Sequence, residues 1–407
     1  MGGKISPGDT AWVLVATAFV LMMTPALAFF YGGMVRKKNV LSTLNLSFIT
    51  IGIISIQWVL IGYTLAFGRN VGGIIGAFNH VGLAGVGSAP GSYAPTIPSL
   101  AFAAYQMMFA IITPALITGA FVERIKFKTF LVFTLLWATL VYDPVAHWVW
   151  GLGGFLGRLG ALDFAGGTVV HVLAGVSALA FAIVIGQRKG YGKTTMEPSN
   201  IPYTVLGAGL LWMGWFGFNG GSALAANGIA VNALVTTNTA AAAACLVWMF
   251  LSWRDNKPSV LGIATGAVVG MVAITPAAGF VAPWAAIIIG GVASMVSYYA
   301  IRYRQKTRLD ESLDVFACHC LGGTVGALLT GLFASKAVNP AGANGLFYGN
   351  PKQFLIQLVA VAITLAFGFV MTFVIVRALK WLMGLRVTEN EEEVGLDISE
   401  HGERSYA

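Results

Sequence analysis

The sequence predicts an all-α polytopic membrane protein with eleven transmembrane helices, arranged as an inverted five-plus-five repeat with one helix left over, the N-terminus outside and the C-terminus inside. Three observations carry this. Of the 407 residues 57% are apolar and only 10% are charged, against roughly 25% charged in soluble domains. Apolar runs able to cross about 30 Å of hydrocarbon recur along the whole chain. Basic residues collect in every second loop. So few charges cannot clothe a solvated surface, so a soluble enzyme is excluded, and the apolar content excludes a disordered chain.

Taken in order, the runs lie near 10–35, 42–67, 99–122, 128–148, 163–186, 201–222, 232–252, 258–277, 284–301, 313–335 and 353–380. The first starts at Trp12 and closes on Phe29-Phe30-Tyr31-Gly32-Gly33, and Arg36, Lys37 and Lys38 follow it. The third contains Ile112-Thr113-Pro114-Ala115 and is followed by Arg124, Lys126 and Lys128. The fifth holds His171 and is followed by Arg188, Lys189 and Lys193. The sixth contains Trp215-Phe216-Gly217-Phe218-Asn219, with Ser222 at its end. Arg254 and Lys257 follow the seventh. The eighth contains Ile274-Thr275-Pro276-Ala277 and spaces Gly262, Gly266 and Gly270 by four residues, which lets helices approach closely. Arg302, Arg304, Lys306 and Arg308 follow the ninth, and the tenth holds His319.

With Arg377, Lys380, Arg386 and Arg404 near the C-terminal end, one set of loops holds 19 of the 24 Lys and Arg. Positively charged loops face the cytoplasm, which fixes the orientation and accounts for the net charge of +8 without nucleic acid. The Ile-Thr-Pro-Ala echo in runs three and eight, and the histidines in runs five and ten, fall in segments of opposite direction, the pattern of an inverted repeat whose substrate route lies between its halves. The expected division is a transmembrane domain over 1–386, with halves at about 10–190 and 200–335 and the extra helix at about 353–380, and a cytoplasmic tail over 387–407. That tail holds seven of the sixteen acids, and reads as a solvated end or as a segment docked on the basic loops.

Ionisable groups within the runs are few, and each is costly unless partnered or functional. Most acids outside the tail fall at run ends, so no string of buried carboxylates marks a sodium- or proton-coupled carrier. Cys245, Cys318 and Cys320 lie in apolar segments and form no disulfide framework. Cys318-His319-Cys320 is no metal site, because neighbouring helical residues diverge by about 100°. What remains at mid-depth is His171 and His319, whose neutral imidazoles can each donate and accept a hydrogen bond. Asp163 reads as the cap of the fifth run. Trp150 and Phe109 read either as part of an interfacial aromatic belt or as ring faces for a small cation.

Several stretches are similar to one family. They are Phe30-Tyr31-Gly32-Gly33 with Lys38-Asn39-Val40; Gly119-Ala120-Phe121-Val122-Glu123-Arg124; Gly160 through His171; Gly214 through Ser222; Asp314-Val315-Phe316 before His319; and Gly395-Leu396-Asp397 with His401-Gly402-Glu403. In this order they resemble the ammonium transporter / methylammonium permease / Rhesus (Amt/Mep/Rh) family, bacterial ammonium transporters in particular. The resemblance implies a non-enzymatic conduit for ammonium or ammonia, with methylammonium as analogue, built as a homotrimer in the plasma membrane with one narrow pore per protomer. It implies that Trp150, Phe109 and Ser222 form the outer ammonium site with Asp163 behind it. Phe109 and Phe218 then gate the pore, and His171 and His319 line it. It further implies no cofactor or metal, and a cytoplasmic P-II-type signal protein that meets the tail. Two other readings stay open: an ammonium sensor with little conduction, and a channel for carbon dioxide. Flanking His319 with Cys318 and Cys320 departs from the small residues usual in the family.

Overall fold

The computed structural model describes residues 4–406; the outermost positions of both expected domains, 1–3 and 407, lie outside it. The chain is mostly helical. Among the described residues ten helices are long and apolar enough to cross a membrane, and an eleventh, shorter apolar helix falls among them. We number them in chain order: α1 Pro7–Gly32, α2 Lys37–Phe67, α3 Ser99–Ala120, α4 Phe127–Leu159, α5 Gly167–Ile185, α6 Ile201–Gly221, α7 Gly228–Asp255, α8 Val260–Ile274, α9 Pro283–Arg304, α10 Phe316–Phe333 and α11 Pro351–Leu382. Helix α8 is the short one. Its run was expected over 258–277, but the helix stops at Ile274 and the chain turns through Thr275 to Phe280, whereas the same Ile-Thr-Pro-Ala in α3 stays helical through Pro114. The only strands among the described residues are two short antiparallel pairs in the loop between α2 and α3.

Side chains and proline set the helix starts. Ser6, Asn200, Asn227 and Ser259 each cap a helix by accepting a backbone N–H. Prolines stand in the first turn of α1, α6, α9 and α11, where no N–H is needed.

The helices pack through small residues. Along α6, Gly207 lies against the backbone of Ala26 and Phe30 in α1, and Gly217 against Ala16 and Phe19. Bulky side chains fill the interior, with Trp58, Trp137 and Trp215 fully buried, whereas Leu14, Phe48, Leu206, Val231, Phe250 and Leu355 stand exposed on the outer faces of their helices. Exposed apolar faces on helices of this kind suit a bilayer.

Loop contacts sort the connections onto two faces. On one, Arg36 meets Glu123, Arg188 meets Asp310, and Ser199 N–H meets the Val35 carbonyl. On the other, Ser6 meets Thr96, Asp9 meets the Ala226 N–H, Phe164 meets Pro276, and Gln353 meets Gly160.

Among the described residues four helical turns widen to π geometry: Trp58–Gly62, Ala138–Tyr142, Gly167–Val172 and Phe316–Leu321. Such turns recur at functional sites. The last two carry His171 and His319. The first two face one another across α2 and α4.

Candidate functional site

On the face opposite the basic loops, Phe109, Trp150 and Ser222 line one cavity of about 290 Å³, together with Gln106, Phe164, Phe102 and Leu224. Three residues distant in sequence thus meet in one wall. The Trp150 indole N–H donates to the Asp163 carbonyl at 2.9 Å, which fixes the plane of the ring. Phe109 stands edge-on to it, with centroids 6.0 Å apart at 85°. Ser222 closes the end of α6; its hydroxyl donates to the Phe218 carbonyl at 2.8 Å, leaving oxygen lone pairs for a donor.

Asp163 stands behind this cavity rather than in its wall. Its carboxylate accepts the N–H groups of Gly166 and Gly167 on one oxygen and of Thr168 and Val169 on the other, with the Thr168 hydroxyl in addition. That is the helix cap expected from sequence, and it occupies the charge fully. Gly166 turns the chain into α5 with φ +110°, a conformation glycine adopts freely.

Below the cavity, Phe218 packs on Phe109 at 4.3 Å between centroids and 40° between planes, so the two rings close its floor. Beyond them His171 lies near-parallel to both Phe218 and Trp215, with centroids 5.9 and 5.4 Å away, and those two rings lie 5.5 Å apart, so the three form a triangle. The two histidines follow, ring to ring at 5.3 Å, with their Nδ1 atoms 3.2 Å apart. A neutral pair joined in this way must hold its protons unequally. One ring carries Nδ1–H and a bare Nε2, the other carries Nε2–H. Nε2 of His171 is buried without a partner.

His319 opens the other way, into a second cavity of about 340 Å³ lined also by Tyr31, Trp248, Arg304, Asp314 and Cys318. The backbone and Cβ of Cys320 lie against Gly175 of α5, where a side chain would meet them at 2.7 Å or less, so α5 and α10 approach closely beside His319. Among the described residues no cluster of three or more His, Cys, Asp or Glu could hold a metal.

Sequence reasoning missed several of these neighbours. Gln106, one turn from Phe109, lines the outer cavity with its amide oxygen unpaired; an amide in so apolar a run was the available signal. Trp215 is held by a 2.9 Å bond from its N–H to Thr275, a contact between α6 and the end of α8 that no local pattern announces.

The basic-loop face is locked by buried ions. Glu123 accepts Arg36 Nε and N and the Asn39 amide, each at 2.9 Å, and pairs with Arg188 at 2.5 Å, while Arg188 also meets Asp310 at 2.8 Å. Burial alone would raise the Glu123 carboxyl; the two guanidinium groups override it and hold it at about 2. Glu311, by contrast, is buried and accepts the Phe316 N–H, with no guanidinium among the described residues bonded to it. Burial and the neighbouring charge of Asp314 push it up to about 8.

The tail folds as two short helices, α12 Glu389–Val394 and α13 Leu396–His401, docked on this face. Glu392 is buried between Arg386 and the Lys189 N–H, and Asp397 accepts the Ser42 N–H at 2.8 Å. Gly395, with φ +108°, lies against Lys38.

A model described as "Ammonium Transporter Family" matches residues 11–406. The chain belongs to the ammonium transporter family. It is 52% identical over 401 residues to an ammonium transporter of Bacillus subtilis (strain 168), covering 98% of both chains. It is 49% identical over 402 residues to the ammonium transporter Amt1 of Archaeoglobus fulgidus, covering 99% of this chain and all of that one. The crystal structure of a Mep2 mutant from Candida albicans superimposes with a TM-score of 0.90 at 35% identity, over 95% of this chain and 89% of the other. This chain is a multi-pass membrane protein whose activity is ammonium transport.

Proposed function

We propose that ammonium binds in the outer cavity against the faces of Trp150 and Phe109, with Ser222 and Gln106 accepting its N–H groups. It gives up a proton there, and ammonia passes between Phe109 and Phe218 and along His171 and His319 to the inner cavity. The observation that carries this reading is the continuity of the line: aromatic cavity, ring pair, histidine pair, second cavity, with His319 in the wall of the last. Asp163 serves by fixing the start of α5 and, through its carbonyl, the plane of Trp150.

The physics favours the neutral species. A bare ammonium ion in a dry pore would forfeit hydration worth tens of kcal/mol in the idealised limit, whereas ammonia forfeits far less. Potassium, of similar size, has no proton to give up, so deprotonation at the mouth is also the selectivity step. The histidine pair, with one bare Nε2, is the group placed to take a proton.

Around this route we infer eleven crossings, with α8 as the short one, the basic-loop face and tail in the cytoplasm, and the N-terminus outside. We further infer two inverted halves at about 10–190 and 200–335, three protomers per assembly, and a place in the bacterial plasma membrane. The sorting of loop contacts onto two faces supports the alternation. The tail, 387–407, serves as a docking surface for a P-II-type signal protein. Deleting it is expected to abolish P-II binding, and unchanged P-II inhibition of the truncated transporter would refute that role.

Charge movement in proteoliposomes after an ammonium pulse, with the internal pH recorded, tests the route. Wild type should pass ammonium and exclude potassium, and His171→Ala should lose flux or selectivity while the assembly survives. A His171→Ala protein with wild-type flux and selectivity would remove the histidine pair from the mechanism. A current shows that the proton crosses with ammonia; alkalinisation without current shows that ammonia crosses alone; neither signal would favour a sensor.

A further inference from the structure

Acids were expected at the ends of the apolar runs, yet Asp143 lies inside α4, seven residues and about 10 Å along the axis below Trp150, and is fully buried. It takes no part in the route described above. An unpaired carboxylate at such a depth is costly and marks a functional group by default.

Its surroundings are specific. The Gln57 amide of α2 donates from Nε2 to Asp143 Oδ2 at 2.7 Å and to the Thr139 hydroxyl at 3.2 Å. The other Asp143 oxygen, Oδ1, and the Gln57 oxygen, Oε1, are both buried without any donor. Gln57 immediately precedes the widened turn Trp58–Gly62, and Asp143 immediately follows the widened turn Ala138–Tyr142. Gly62 leaves room for the amide, since a Cβ there would lie 2.5 Å from Gln57 Oε1. Two helices are thus locally unwound where this pair meets. The remaining groups near Asp143 are the Thr139 and Tyr142 hydroxyls of its own helix, with Thr113 of α3 beside Tyr142; among the described residues no charged side chain opposes it.

Two orphaned acceptor oxygens on partners already joined by one hydrogen bond are satisfied together by one proton. We propose that Asp143 is a proton-binding site between α2 and α4: it stands as a neutral carboxylic acid, Oδ1–H donating to Gln57 Oε1 while Gln57 Nε2–H donates to Oδ2, in a cyclic acid–amide pair. The pair clamps the two helices. Loss of the proton would leave a carboxylate with one strong donor among apolar helices, so the proton leaves only when α2 and α4 part or water enters. Through Tyr142 and Thr113, whose hydroxyl donates to the Phe109 carbonyl at 2.6 Å, the clamp abuts the segment of α3 that carries the outer ring.

Infrared difference spectroscopy on the full-length transporter in liposomes tests this, with Asp143→Asn and Asp143→Leu. A hydrogen-bonded carboxylic acid C=O band, shifted by D2O and absent from Asp143→Asn, is expected at neutral pH. Asparagine makes the same cyclic pair with Gln57, so Asp143→Asn should melt like wild type and transport within about twofold of it, because every hydrogen bond stays made. Asp143→Leu strands the Gln57 amide and should melt lower, with partial recovery in Gln57→Leu/Asp143→Leu. No such band in folded wild type would overturn the proposal, as would an Asp143→Asn protein that fails to fold or is as impaired as Asp143→Leu. The infrared band and the melting readouts do not depend on whether the histidine pair conducts.

Discussion

Replacing Trp150 by leucine tests the outer cavity most directly. The indole is oriented by its N–H bond to the Asp163 carbonyl at 2.9 Å, and it forms the wall of a cavity of about 290 Å³ with Phe109 edge-on beside it. A cation over such a ring gains about 0.5–1 kcal/mol when exposed and about 2 when desolvated. Trp150 is half-buried, which puts its contribution at about 1–2 kcal/mol. At about 1.4 kcal/mol per tenfold, Trp150→Leu should raise the half-saturating ammonium concentration by roughly 5–30-fold and leave the maximal rate near wild type, since the ring pair and histidines below are untouched. Trp150→Phe lacks the N–H but keeps a ring face, so it should shift half-saturation less than leucine does. Initial currents across an ammonium series in proteoliposomes measure both parameters. Unchanged half-saturation in a folded Trp150→Leu protein would refute the cation–π reading, and a fall in maximal rate alone would make Trp150 part of the gate instead.

Three further predictions concern stability. Glu123→Gln leaves Arg36 and Arg188 facing an uncharged group, and breaking a buried pair costs about 3–5 kcal/mol, so its melting temperature should fall well below wild type. Because Glu123 is held at about 2 against an ordinary 4.5, its contribution is complete above the ordinary value and is lost as pH falls from there towards 2; melting curves over that range should slope in wild type and flatten in the variant. Glu311 carries the opposite sign. Held at about 8, it binds a proton more tightly in the folded protein, so wild type should lose stability as pH rises from about 5 to 8, and Glu311→Gln should reduce that slope. Gly175→Ala sets a Cβ hard against the backbone nitrogen of Cys320 and 2.6 Å from its Cβ, an overpacking worth about 1–3 kcal/mol; because the nearest atom is backbone, Cys320→Gly in the same chain should recover little of the loss, and a double-mutant cycle by thermal melting that showed full recovery would refute the backbone contact.

Much of the fold is legible because hydrocarbon imposes a minimum length on every crossing. The expected runs and the observed helices agree to within a few residues at most ends, and the exceptions have local causes. α8 stops at Ile274, just ahead of Pro276, and the regular part of α4 ends at Trp150, where Gly151 turns the chain before a short helix Phe155–Leu159. The candidate site was legible where a residue type is improbable in its setting. Two histidines at mid-depth are conspicuous in so apolar a chain, and the histidines now lie with Nδ1 atoms 3.2 Å apart. Asp163 announced its cap through the glycines that follow it. Gln106 offered only an amide in an apolar run, and the partners of Trp215 and Gly175 were not legible, because an indole or a glycine in an apolar helix gains meaning from the helix it faces.

The widened turns explain why the deeper pairings escape a reading by period. A π turn inserts one residue into the 3.6-residue repeat, so every side chain beyond it rotates by about 100° relative to the face that the earlier residues predict. The turns at Gly167–Val172 and Phe316–Leu321 aim His171 and His319 at one another. The turns at Trp58–Gly62 and Ala138–Tyr142 flank Gln57 and Asp143 in the same way. In both places the helix gives up regular hydrogen bonding where a polar pair crosses a helix interface, and among the described residues no other helical turn widens in this way. Since the bilayer supplies no substitute for a lost backbone hydrogen bond, such departures persist only where what they position compensates for them. By that criterion the Gln57–Asp143 contact ranks with the histidine pair, and it is the second place in this chain where a proton should be sought.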